Sequence, residues 1–161
     1  MREVAYFAGG CFWGVEYFFK KARGVVSTRV GYMGGHKAKP TYEEVCSGTT
    51  GHLETVEVTY DSEETSFEEL AKLFFEIHDP TQINRQGPDI GEQYQSAIFY
   101  VDENQRKIAQ DLISELEGKG YKVSTQLREA GVFWVAEEYH QNYYGKTGKE
   151  PYCHFRIERF K

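Results

Sequence analysis

The sequence predicts an α+β fold, one sheet covered by helices. Short apolar or β-branched runs alternate with stretches of helical periodicity along most of the chain. Helix-capping signals recur at the joints between them. Elements mixed in this way pack as a sheet under a layer of helices. Not every neighbouring pair of strands need be parallel, which favours α+β over a strictly doubly wound sheet. At 161 residues the chain has the size of one domain with a core of its own.

The first strand is the apolar run from Val4 to Ala8, and Gly9-Gly10 permit a sharp turn after it. Phe12 to Ala22 is helical, with Phe12, Val15, Phe18 and Phe19 near one face, and Arg23-Gly24 closes it. Val25 to Met33 is β-rich and forms the second strand. A loop from Gly34 to Pro40 leads to a short helix over Thr41 to Ser47, where Thr41 and Glu44 have capping-box spacing and Gly48 is the stop. Leu53 to Tyr60 is the third strand. Ser66 and Glu69 form a second capping box, opening a helix that runs to about His78 and stops at Asp79-Pro80. Thr81 to Glu92 is loop-like, and so long a polar connection is usually functional. Tyr94 to Val101 is a strand. Asp102 caps a helix that buries Ile108, Ala109, Leu112, Ile113 and Leu116 and ends at Gly118. Tyr121 to Arg128 is a fifth strand, Val132 to Val135 is an apolar run, and Glu137 to Tyr144 is a last short helix. The tail from Gly145 to Lys161 has little regular pattern.

Composition sets limits on partners. A net charge of −6 disfavours nucleic acid and anionic membrane surfaces. No apolar run approaches the roughly 20 residues of a spanning helix, and no signal peptide is visible, so the cytoplasm is the expected location. The three cysteines, Cys11, Cys46 and Cys153, are too few for a disulfide scaffold. The histidines, His36, His52, His78, His140 and His154, show no ligand spacing with them. No metal site and no cofactor is expected, and His78 and His140 read as packing or capping residues.

Two positions carry chemistry. Cys11 sits where a strand turns into a helix N-terminus, and unpaired N–H groups and the helix dipole there favour an anion. A thiol in that place gives up its proton more easily, and the thiolate is the reactive form. The plainer alternative is a small buried cysteine in a turn. Glu54 shares a strand face with Val56, Val58 and Tyr60. Either that face is already wet at the strand's end, or the carboxyl is held in an apolar pocket, where burial would keep it protonated as an acid.

Gly10-Cys11-Phe12-Trp13-Gly14 resembles the signature of the class A peptide methionine sulfoxide reductases. The likeness continues through Pro40-Thr41-Tyr42-Glu43-Glu44-Val45-Cys46-Ser47-Gly48, Thr50-Gly51-His52-Leu53-Glu54 and His78-Asp79-Pro80. It then runs through Asn84-Arg85-Gln86-Gly87-Pro88-Asp89-Ile90-Gly91, Gln93-Tyr94 and Glu138-Tyr139-His140-Gln141. These motifs stand in the family's order and cover most of the chain.

The resemblance implies a two-layer α/β sandwich around a mixed sheet, related to the ferredoxin-like plait, over a single catalytic domain, residues 1–161. It implies thiol-dependent reduction of methionine S-sulfoxide in peptides, in proteins and as the free amino acid, a repair of oxidative damage. Cys11 matches the catalytic cysteine and Glu54 the acid that protonates the sulfoxide oxygen. Tyr42 and Tyr94 match phenols that hydrogen-bond that oxygen. Phe12 and Trp13 match the aromatics that receive the S-methyl group, and Asp89 a supporting carboxylate. Thioredoxin is the implied reductant. Family members carry recycling cysteines in a mobile C-terminal segment, and Cys153, in a tail of residues 145–161 expected to be flexible, fits that role. Cys46, four residues after Tyr42 on one helix face, is its rival. Two other readings of the residues stay open: a cysteine hydrolase, which needs a histidine base near Cys11, and a non-enzymatic module that binds peptides through Phe12 and Trp13.

Overall fold

The computed structural model describes residues 1–152 and 154–160. Strand β1 (Arg2–Ala8) buries Ala5 and Phe7 and turns through Gly9 and Gly10 into helix α1 (Phe12–Lys20). Gly10 takes a positive φ of 96°, open to glycine at no steric cost. Strand β2 (Val25–Met33) leads through the capped helix α2 (Tyr42–Cys46) to strand β3 (Leu53–Asp61). Helix α3 (Phe67–Ile77) follows, then the two-residue strands β4 (Arg85–Gln86) and β5 (Asp89–Ile90), then β6 (Ala97–Tyr100). Helix α4 (Glu103–Gly118), strands β7 (Gln126–Glu129) and β8 (Trp134–Val135) and helix α5 (Tyr143–Thr147) complete the order.

Six strands form one mixed sheet in the order β7-β6-β1-β3-β2-β8. The pairs from β6 to β8 are antiparallel, and β7 runs parallel to β6. The run β1-α1-β2, β3-α3-β6 therefore has βαββαβ connectivity, with β6, β1, β3 and β2 side by side. Helices α1, α3 and α4 cover one face. Phe7 lies between them, its ring stacked 4.9 Å from Phe19, 5.9 Å from Phe67 and 5.1 Å from Phe74. A smaller cluster of Ala8, Met33, Leu53, Ala97 and Phe99 lies apart from this core. No helix among the described residues is long and apolar enough to cross a membrane.

The capping signals hold. Thr41 and Glu44 form the full reciprocal box, and the Asp102 carboxylate accepts the Gln105 N–H, a cap worth about 1 kcal/mol. At α3 the Ser66 hydroxyl accepts the Glu69 N–H, one of the two bonds of the expected box.

Four boundaries differ from the sequence expectation, and at three of them side chains satisfy backbone groups. The expected loop from Thr81 to Glu92 contains the β4–β5 hairpin, and the Gln95 side chain accepts the Asn84 N–H at its base. Tyr94 lies in a 3-10 turn, Glu92–Tyr94, so β6 starts only at Ala97. Strand β7 begins at Gln126 because Ser124 bonds the Pro80 and Gln82 carbonyls instead of the sheet. The last helix splits into a 3-10 turn, Glu138–His140, and α5, with Asn142 left-handed at φ 52° between them. There the Gln141 amide bridges Val30 N–H and C=O, and Glu16 accepts the Asn142 N–H.

His78 ends α3 as a packing residue. Its Nδ1–H donates to the Phe74 carbonyl at 2.6 Å, so its Nε2 accepts from the Ser96 hydroxyl at 2.7 Å. Burial lowers its pKa from 6.5 to about 3, so the folded state demands the neutral ring. The unfolded chain takes up this proton first as the pH falls. Stability from His78 is thus complete above pH 6.5 and falls by about 1.4 kcal/mol per unit down to about pH 3. Urea unfolding between pH 7 and pH 4 should show a steeper loss for the wild type than for His78→Gln; parallel curves would refute the assignment.

Candidate active site

Cys11 is the N-cap residue of α1 and is buried. The next N–H, that of Phe12, donates to Glu54 Oε1 on β3 at 3.1 Å. One bond thus joins the first turn of α1 to the sheet beneath it. Glu54 is 1% exposed, so the alternative of a wet strand end is excluded. Its pKa stands well above the ordinary carboxyl range. Burial is the main cause, the neighbouring Cys11 adds to it, the Phe12 N–H opposes it and Asp89 raises it further. The balance of these causes favours the protonated acid.

Tyr42 and Tyr94 come to the same place from α2 and from the 3-10 turn. Burial raises both pKa values, with the nearby Glu54 the next cause, so both phenols remain donors. Asp89 arrives on β5. Tyr152 donates to its Oδ1 at 3.0 Å. Cys46 is exposed as a residue; its thiol lies near the Tyr42 phenol, and burial pushes the thiol pKa up.

The aromatic wall holds more than the sequence reading assigned to it. Phe12 packs against Tyr32, Tyr42 and His140. The Trp13 indole stacks on Tyr143, 3.7 Å between centroids, and its Nε1–H donates to His140 Nδ1 at 3.0 Å. Burial lowers the His140 pKa, so the ring is neutral, and since Nδ1 accepts, the proton sits on Nε2. His140, expected only to pack or cap, is therefore part of this wall. No spacing in the sequence singles it out. Glu137 braces the same wall: its Oε1 accepts the Tyr32 hydroxyl at 2.9 Å and its Oε2 the Tyr42 N–H at 3.0 Å.

Three buried side-chain polar atoms lack a hydrogen-bond partner among the described residues: Glu54 Oε2, Asp89 Oδ2 and His140 Nε2. Asp89 stands near Glu54 and Tyr94, and His140 packs against Tyr42. Buried polar groups are normally satisfied, and leaving one bare costs about 1–3 kcal/mol. The site is built for a small polar guest beside an apolar wall. No group of three or more His, Cys, Asp or Glu side chains suited to a metal occurs among the described residues.

The family profile described as peptide methionine sulfoxide reductase matches residues 3–161. The chain belongs to the class A peptide methionine sulfoxide reductases. It is 51% identical over 156 residues to the MsrA of Saccharolobus solfataricus, covering 96% of this chain and 88% of that protein. The Methanothermobacter thermautotrophicus MsrA is 54% identical over 148 residues, with 90% and 88% covered. Reduced Mxr1 from Saccharomyces cerevisiae superposes with a TM-score of 0.91 at 35% identity, covering 96% of this chain and 92% of that one. Membership makes this chain an oxidoreductase, a peptide-methionine (S)-S-oxide reductase.

The structure thus gathers Cys11, Phe12, Trp13, Tyr42, Glu54, Asp89 and Tyr94 of this reductase into one site. The expected recycling residue, Cys153, lies outside the described residues. A protonated Glu54 should show in the infrared: the wild type at pH 7 keeps a carboxylic-acid carbonyl stretch that Glu54→Gln lacks. Identical spectra in that region would mean an ionised Glu54.

Proposed function

We propose that Cys11 attacks the sulfur of methionine S-sulfoxide while Glu54 protonates its oxygen. The observation that carries this reading is Glu54 Oε2, buried and without a partner among the described residues, on a carboxyl whose burial favours the protonated form. A sulfoxide oxygen carries partial negative charge and accepts hydrogen bonds only. Attack by a thiolate builds further charge on that oxygen, so donors must already stand there. Glu54, Tyr42 and Tyr94 supply them without adding positive charge. General acid catalysis of this kind is worth roughly 10²–10⁴-fold. Phe12 and Trp13 offer an apolar face to the S-methyl group, and Asp89 supports the substrate from the β4–β5 hairpin.

Methionine then leaves, and Cys11 is left as a sulfenic acid, having taken the oxygen. In the proposed cycle the thiol of Cys153 condenses with it, forming the S–S bond, breaking the S–O bond and releasing water. A thioredoxin dithiol returns the disulfide to two thiols. Yeast Mxr1 is known in complex with Trx2, which suits this choice of reductant. The whole chain acts as one catalytic domain, with residues 145–161 as the segment that delivers Cys153. Cys46 plays no part in this cycle. The substrates are methionine sulfoxide in peptides and proteins and the free amino acid, a repair of oxidative damage.

Sulfoxide sulfur is a stereocentre. A site that fixes methyl group, oxygen and nucleophile together accepts one configuration. Incubation of a diastereomeric methionine sulfoxide mixture with enzyme and dithiothreitol, followed by chiral analysis, should show complete loss of the S epimer at sulfur and retention of the R epimer. Equal consumption of both would overturn the proposed geometry.

A further inference from the structure

Among the described residues after Gly148 none is in a helix or strand, and His154 is the only buried one from 148 to 160. It is 4% exposed, while Tyr152 and Phe155 near it are 63% and 67% exposed. The imidazole lies across the turn that carries Cys11. Its Nε2–H donates to the Gly9 carbonyl at 2.7 Å. A Cβ placed on Gly14 would stand 2.2 Å from its Nδ1, and one on Gly10 would stand 3.3 Å from its Nε2. Gly14 sits in the first turn of α1, where glycine is about 1 kcal/mol less favourable than alanine. The missing side chain is the seat of the imidazole. The second glycine of Gly10-Cys11-Phe12-Trp13-Gly14 is thus matched to a residue 140 positions later.

We propose that His154 is a positioning residue for recycling, a plug that seats the tail against the Cys11 turn so that the neighbouring thiol meets the sulfenic acid. This rests on the reading of Cys153 as the resolving residue. His154 itself transfers no proton. Burial keeps its ring neutral, and the bond to Gly9 fixes the proton on Nε2. Its contribution is orientation, which for a reaction between two groups on one chain is worth one to two orders of magnitude when a placement slips by about 1 Å. The tail has further ties downstream, from Ile157 N–H to the Glu76 carbonyl at 2.8 Å and from Arg156 to the Glu76 carboxylate at 2.8 Å. Loss of the plug therefore loosens the approach to Cys11 without freeing the whole tail.

The experiment is a rapid-quench single turnover with a methionine sulfoxide peptide, followed by both methionine release and disulfide formation. His154→Ala should release methionine at the wild-type rate but form the disulfide about 10- to 100-fold more slowly. His154→Gln, whose amide can still donate to Gly9, should recover most of the loss. Gly14→Ala, which displaces the ring, should slow disulfide formation as His154→Ala does, and the double variant should be no slower than either single one. Disulfide formation at the wild-type rate in His154→Ala, or equal slowing of both steps with no rescue by glutamine, would overturn the proposal. Cys153→Ser serves as the control: it should release one methionine and form no disulfide. If it formed a disulfide at the wild-type rate, the reading of Cys153 would itself fall, whatever His154 does.

Discussion

The Phe12 N–H to Glu54 bond fixes the relation between the two reacting groups. A helix N-terminus offers its first amides to whatever anion or acceptor lies near. Here one of them is taken by a carboxyl that rises from the middle of the sheet. That bond places Glu54 one residue from Cys11 and presses the carboxyl under the first turn of α1, where water cannot reach it. Alone, an amide donor would favour the ionised form. Burial and the adjacent Cys11 outweigh it, and the balance favours the protonated acid, with one oxygen held and the other without a partner among the described residues.

The rest of the site follows the same economy of buried polar groups. Its walls come from segments with no long element of their own: α2, the β4–β5 hairpin and the stretch from Glu137 to Tyr144. Side chains do there what a sheet or helix would do elsewhere. Glu137 holds the start of α2 and the Tyr32 phenol together, Gln141 extends the edge of β2, and Glu16 takes the Asn142 amide. Each of these groups is itself bonded, and among the described residues the partnerless buried side-chain atoms are those of Glu54, Asp89 and His140 at the site. Replacing a brace such as Glu137 would strand partners that are already buried, the expensive direction of change.

Much of this was legible in the sequence, for identifiable reasons. Cys11 was placed by the strand-to-helix turn, since glycine and periodicity mark such joints locally. Glu54 was placed by the period-two alternation of β3, which is strict because the sheet pleat is strict. Its burial was not settled by alternation, since that depends on α1 lying over it, a contact across 42 residues. His140 was read as a packing or capping residue and does pack, but its bond to Trp13 was not legible because that partner is 127 residues away. The last helix was drawn too long because a left-handed Asn142 and a bridging Gln141 interrupt it, and neither has a periodic signature. The start of β6 was misplaced at Tyr94 for the same kind of reason: β-propensity does not report a 3-10 turn that aims a phenol at a site.

The central claim is that Glu54 gives its proton to the sulfoxide oxygen as Cys11 attacks. Stopped-flow Trp13 fluorescence under single-turnover conditions, on wild type and Glu54→Gln across pH, tests it most directly. The amide keeps a donor but cannot release a proton, so at neutral pH the rate should fall by roughly 10²-fold or more while substrate affinity changes far less. The deficit should shrink as the pH falls and solvent acid replaces the missing proton. A wild-type rate in Glu54→Gln would contradict the account and leave Glu54 a structural carboxyl.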